Sequence, residues 1–211
     1  MKTEQLLEAL VADRAGKRWP AARALVLALA AGIAISLVFF FVELGVRRDI
    51  GAALMTWRFD LKIVLVLLVL VFAFGLARDV TRPDVSGRPL RQLLPVLVLA
   101  LAGIVIELAV LPASAWKGRM VGTNSLICMS MVPVLSLAPL IAALAILRRG
   151  APRSPVLAGA AAGFLAAACG ASLYAFHCFD DSPLFVAVWY TLAALPVILI
   201  GAVAGRWVLR W

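Results

Sequence analysis

Charge is what this sequence has least of: Asp, Glu, Lys and Arg make up 15% of its 211 residues, against about a quarter in an ordinary soluble domain. One histidine and three cysteines are too few for a zinc ribbon or a disulfide scaffold. No Cys-x-x-Cys occurs, which excludes a quinone-linked dithiol oxidase built on two cysteine pairs. An intramembrane serine protease needs a serine and a histidine on neighbouring spans, and His177 falls at a segment boundary instead. No apolar segment carries the succession of charges that a proton-coupled transporter uses. Neither catalysis nor a cofactor is expected.

What is present in excess is apolar. Hydrophobic residues reach 64% and the mean hydropathy is +1.05. They gather into six runs, residues 24–44, 61–77, 93–111, 126–147, 156–176 and 184–205. About 20 apolar residues in a helix rise roughly 30 Å and cross the hydrocarbon core. The expected fold is all-α, a polytopic transmembrane bundle of six helices. It divides into a tail over 1–23, a six-span domain over 24–207 and a short tail over 208–211. The first run follows a long charged lead and reads as a retained signal-anchor, not a cleaved signal.

Direction follows from the basic residues, which accumulate on cytoplasmic loops. Of the 20 Lys and Arg, most fall on one side: the lead (Lys2, Arg14, Lys17, Arg18, Arg23), the 78–92 loop (Arg78, Arg82, Arg88, Arg91), the 148–155 loop (Arg148, Arg149, Arg153) and the end (Arg206, Arg210). Arg47, Arg48, Arg58, Lys62, Lys117 and Arg119 take the other. Both termini are therefore expected in the cytoplasm. Trp19, Trp207 and Trp211 fall at the inner interface and Trp57, Trp116 and Trp189 at the outer one, as an aromatic belt requires. This placement explains the net charge of +9 without direct nucleic-acid binding.

Cys128 opens the fourth run and Cys178 closes the fifth, both on the outer side, whereas Cys169 lies deeper. A bridge between Cys128 and Cys178 suits an oxidising compartment, although three cysteines allow three pairings. His177-Cys178-x-Asp180-Asp181 also gathers an imidazole, a thiol and two carboxylates. With Cys128 it makes a candidate soft-metal site (Cys128, Cys178, His177) or a reactive thiolate whose polar neighbours lower its pKa. The plainer reading makes Asp180-Asp181-Ser182-Pro183 a turn and helix N-cap for the sixth span. Lys62, at a span edge, is expected to snorkel, and Glu107 to pair with Arg58, Lys62 or Lys117. Gly159, Gly163, Gly170, Gly201 and Gly205 mark close helix packing. In the lead, Thr3 and Glu4 suit a helix start, and Leu6, Leu7 and Leu10 share one face for a partner or the membrane surface.

Several segments carry a family resemblance. They are the opening Met-Lys-Thr-Glu-Gln-Leu-Leu-Glu-Ala-Leu with Pro20, Arg58-Phe59-x-x-Lys62, Arg149-Gly150-Ala151-Pro152-Arg153-Ser154-Pro155 and Ala158-Gly159. Tyr174-Ala175-Phe176-His177-Cys178, Asp181-Ser182-Pro183-Leu184-Phe185-Val186, Trp189-Tyr190 and Gly205-Arg206-x-x-x-Arg210-Trp211 complete them. Together they resemble the NrsF-type negative regulators of sigma-F, six-span bacterial anti-sigma factors that hold an extracytoplasmic-function sigma factor at the inner membrane. The resemblance implies a periplasmic cysteine pair in signal sensing, at Cys128 and Cys178, and the expected signal for release of the sigma factor is redox or a thiophilic metal, as in a stress response. Leu6, Leu7 and Leu10 become the expected grip on it. The alternative is a small transporter or channel subunit.

Topology is directly testable. Reporter fusions at Arg149 and Trp211 are expected to read cytoplasmic and one at Lys117 periplasmic; a periplasmic reading at Trp211 would reverse the orientation and move both cysteines inside.

Overall fold

The computed structural model describes residues 21–80, 88–150 and 152–210, so the segment with Leu6, Leu7 and Leu10 lies outside the described residues. Six long helices dominate: α1 (Ala21–Glu43), α2 (Trp57–Asp79), α3 (Arg88–Val110), α4 (Ser125–Leu147), α5 (Pro155–Tyr174) and α6 (Pro183–Val208). Each is long and apolar enough to cross a membrane. The chain is an all-α, six-helix membrane bundle, as the runs predict.

The ends follow local chemistry. Thr56 caps α2, its side chain accepting from the Phe59 N–H at 3.4 Å, and Asp60 adds a carboxylate to the first turn. Ser154 caps α5 through the Leu157 N–H at 3.3 Å, with Pro155 at the first helical position. The 112–125 connection, read from sequence as a loop, contains a short helix, Ala113–Val121. Trp116 Nε1 donates to Leu111 O at 3.1 Å, tying that helix back to α3, and Trp189 Nε1 donates to Met120 O at 2.9 Å, tying it to α6.

The centre of the bundle is α5, which packs on α6, α4 and α2. Two thirds of it is buried (67%), against 17% of the apolar part of α3, which leans mainly on α2. Composition explains the contrast. Lipid tails are as apolar as leucine, so a helix gains a central place by close backbone approach. Gly159 of α5 lies against the backbone of Gly201 and Gly205 of α6, and Gly163 against Val197 and Ile198. About three turns further along α5, Gly170 meets Val132 and Ser136 of α4. Outside this core, Ser36 of α1 donates to Leu135 O of α4 at 2.7 Å, an inter-helix bond buried from lipid.

A Cβ at Gly159 would collide with the α6 backbone, which no rotamer change relieves. Gly159→Leu is expected to cost about 1–3 kcal/mol or more, read as a lower melting temperature in detergent. Gly51→Ala, where nothing lies within 4 Å, provides the neutral control.

Candidate functional site

The polar groups that the apolar composition makes scarce converge at one end of the bundle, around residues 176–182. Lys62, on the second turn of α2, has a fully buried side chain and does not snorkel. Its ammonium donates to Asp181 Oδ1 and, at 2.9 Å, to the Cys178 carbonyl oxygen. Arg47, just past α1, donates from Nη1 to the same carbonyl at 3.1 Å and to Asp181 Oδ2 at 2.8 Å. Its Nε donates to Asp49 at 2.7 Å. The guanidinium also lies 4.9 Å from the Phe179 ring centroid and 5.6 Å from that of Phe59, so aromatic faces cover the rest of its charge.

This arrangement sets the pKa directions. Hydrogen bonding to Asp49, then pairing with Asp181, outweighs burial and raises Arg47 further. The same guanidinium holds the Asp49 carboxyl below the usual carboxylate range. Asp181 is the counter-ion that Arg47 and Lys62 share.

The neighbouring residues extend the cluster. Asp180 Oδ2 accepts from the backbone N–H groups of Thr123 (2.9 Å) and Asn124 (2.7 Å), and from the Asn124 side chain (3.0 Å). A carboxylate is thereby placed at the positive end of α4, four residues before Cys128. Ser182 donates to Glu107 Oε1 at 3.1 Å, and Arg58 Nε donates to Glu107 Oε2 at 2.8 Å. Of the partners expected for buried Glu107, Arg58 is the one it has. Finally, Arg47 N–H donates to Phe176 O at 3.0 Å, and His177 Nδ1 pairs with Gly45 O at 3.0 Å. Seven consecutive residues therefore hold the ends of α1, α2, α3 and α4.

The two aspartates are more than a turn. Ser182 occupies the N-cap position of α6 without a side-chain cap bond, while Asp180 serves α4 and Asp181 serves Lys62 and Arg47. Cation pairing decides this for Asp181, and the free N–H groups before α4 decide it for Asp180.

Cys128 and Cys178 are both fully buried and share one apolar cluster with Tyr174, Phe185 and Tyr190. Cys169 belongs to a separate cluster among alanines and leucines. All three are free thiols. The polar surroundings of Cys178 do not lower its pKa: burial pushes the thiol up, and nearby Lys62 only partly offsets it. His177 turns to Gly45 and packs 5.9 Å from the Tyr174 ring, and among the described residues no three His, Cys, Asp or Glu side chains gather for a metal ion.

Sequence reasoning missed two members of the site. Arg47 was read only as a loop charge. Tyr190, whose buried hydroxyl has no hydrogen-bond partner, sits in a π-turn, Val186–Tyr190, that no residue type announces. An unpaired buried hydroxyl costs roughly 1–3 kcal/mol.

Fold and site together define a six-helix membrane protein with a buried ionic junction joining its connections beside two thiols. The profile of the NrsF family, described as "Negative regulator of sigma F", matches residues 10–211, and the chain belongs to that family. It is 34% identical to the "Anti-sigma-F factor NrsF" of Caulobacter vibrioides (strain NA1000 / CB15N), over the whole of both chains. It is 32% identical, again over the whole of both, to the "Probable anti-sigma-F factor NrsF" of Azospira oryzae. No solved structure matches the chain. The family is regulatory, not enzymatic.

Removing one partner of a buried ion pair strands the other, at a cost of about 3–5 kcal/mol. Lys62→Met is therefore expected to lower the melting temperature in detergent well beyond Asp49→Asn, which removes an exposed partner and should change little. Equal effects would show that Asp181 is satisfied by Arg47 alone.

Proposed function

We propose that this protein is a membrane anti-sigma factor of the bacterial inner membrane that sequesters an extracytoplasmic-function sigma factor and releases it on a periplasmic thiol-linked signal. The observation that carries the sensing part is the shared burial of Cys128 and Cys178 in one cluster, Cys178 belonging to the loop that holds the ends of four helices. Family membership carries the sigma-factor part.

On this reading the 176–182 loop faces the periplasm and the sigma factor binds at the opposite, cytoplasmic end. Leu6, Leu7 and Leu10 grip it, since the inner connections are short and mostly polar. A disulfide between Cys128 and Cys178 requires the two helix ends to adjust. That adjustment is passed on through the Cys178 carbonyl, which both Arg47 and Lys62 hold. His177, Asp180 and Asp181 contribute by placing the loop.

The test is co-purification. The full chain, tagged and extracted from membranes, is expected to bring down a sigma factor, and diamide treatment to release it at least tenfold. Cys128→Ser and Cys178→Ser should abolish release equally, and the double variant should be no worse than either single. Leu6→Asp with Leu10→Asp should lose capture at rest. Absence of any sigma factor from the purified protein, together with a conductance or uptake phenotype, would favour the transporter or channel reading.

A further inference from the structure

Tyr190 is the buried side chain that the resting structure leaves unsatisfied. Among the described residues its hydroxyl is the sole buried side-chain N or O atom without a hydrogen-bond partner. It closes the Val186–Tyr190 π-turn, where α6 departs from regular α-helix. Such turns are costly insertions that recur at functional sites. The ring packs 6.1 Å from Tyr174 and 6.5 Å from Phe185, inside the cluster that contains Cys128 and Cys178. The hydroxyl and both thiols therefore share one buried cluster.

Sulfur is a weak acceptor, so a thiol does not satisfy a phenolic donor. The Cys178 thiol is itself directed to Asp180 O, at 3.7 Å. What this pocket lacks is an oxygen acceptor beside Cys178, and oxidation of that thiol supplies one. We infer that Tyr190 donates a hydrogen bond to the oxygen of a Cys178 sulfenic acid, which makes a hydroperoxide the class of oxidant the site accepts. The inference rests on the reading that Cys128 and Cys178 react as a pair.

The chemistry balances in two steps. In the first, the Cys178 sulfur attacks the peroxide: an S–O bond forms, the O–O bond breaks, and the thiol proton leaves with the departing alcohol or water. In the second, the Cys128 sulfur attacks the Cys178 sulfur: an S–S bond forms, the S–O bond breaks, and the oxygen leaves as water with the Cys128 proton. The two thiols lose two electrons and the peroxide gains them. Tyr190 holds the oxygen-bearing form in place between the steps, where α4 presents Cys128 to it.

The test uses the full chain in membranes with hydrogen peroxide as the probe. With Cys128→Ser present to stop the second step, a dimedone reagent should label Cys178, and adding Tyr190→Phe should cut that labelling at least fivefold. With both cysteines in place, Tyr190→Phe should slow peroxide-driven disulfide formation by a similar factor. It should leave formation by diamide unchanged, because diamide makes the disulfide without placing oxygen on sulfur. The melting temperature should hold or rise, since Phe removes an unpaired hydroxyl. Equal dimedone labelling with and without Tyr190, no adduct at Cys178 in the Cys128→Ser chain, or an equal slowing with diamide would each overturn the inference. None of these readouts involves a sigma factor. A chain that shows this thiol chemistry but releases no sigma factor would sink the proposed function and leave the Tyr190 assignment standing.

Discussion

Lys62 carries a full charge into a position with no access to water, and the arrangement of this end of the bundle depends on how that charge is met. An ammonium buried without a partner would deprotonate or unfold its surroundings. Asp181 prevents this, and as a single carboxylate it also serves Arg47. The unused hydrogen-bonding capacity of both cations falls on the Cys178 carbonyl. A backbone oxygen with two cationic donors is fixed in place. The 176–182 loop is thereby bound to α2 and to the exit of α1, and its other carboxylate, Asp180, holds the start of α4.

The body of the bundle follows a different rule. Between helices in lipid there is little hydrophobic gain, so association rests on close packing and on polar bonds shielded from the lipid. Glycines and alanines of α5 provide the first, and Ser36 on Leu135 O provides the second. The molecule is thus held by small residues through its length and by charge at one end. α3 has neither a small-residue seam nor a central place. It is retained by Glu107 with Arg58 and Ser182, and by the contact of Gly103 with Leu61 and Pro183.

These two rules also explain what could be read from the sequence. Spans, helix seams and the Glu107 pairing follow from hydropathy, small-residue spacing and the cost of a lone charge, all of which are local or one-partner arguments. The fate of Lys62 was not legible, because snorkelling and burial begin from the same residue at the same span edge. Only Asp181, 119 residues away in sequence, decides between them. Asp180 and Asp181 looked like an N-cap because the next residues begin a helix. Long-range cations and a neighbouring helix start outweighed that local role. The π-turn at Val186–Tyr190 has no composition of its own, so the aim of Tyr190 emerges only from the packing of α6 against α5 and α4.

The buried thiols pose a last question of sensitivity. Nucleophilic attack on an oxidant proceeds from the thiolate, and burial raises the Cys178 pKa, so the resting site is quiet. A sensor with an exposed, low-pKa cysteine would respond to every trace of oxidant. On the proposed reading, reaction requires the loop to part slightly from the bundle, and the junction of Arg47, Lys62 and Asp181 opposes that motion. On the proposed reading, the ionic junction then has two roles that cannot be separated. It sets how often Cys178 is accessible, and it is the linkage through which a displaced Cys178 pulls on α1 and α2. Threshold and transmission would be tuned by the same three side chains, so a change that made the sensor more easily triggered would also weaken the connection that carries its signal.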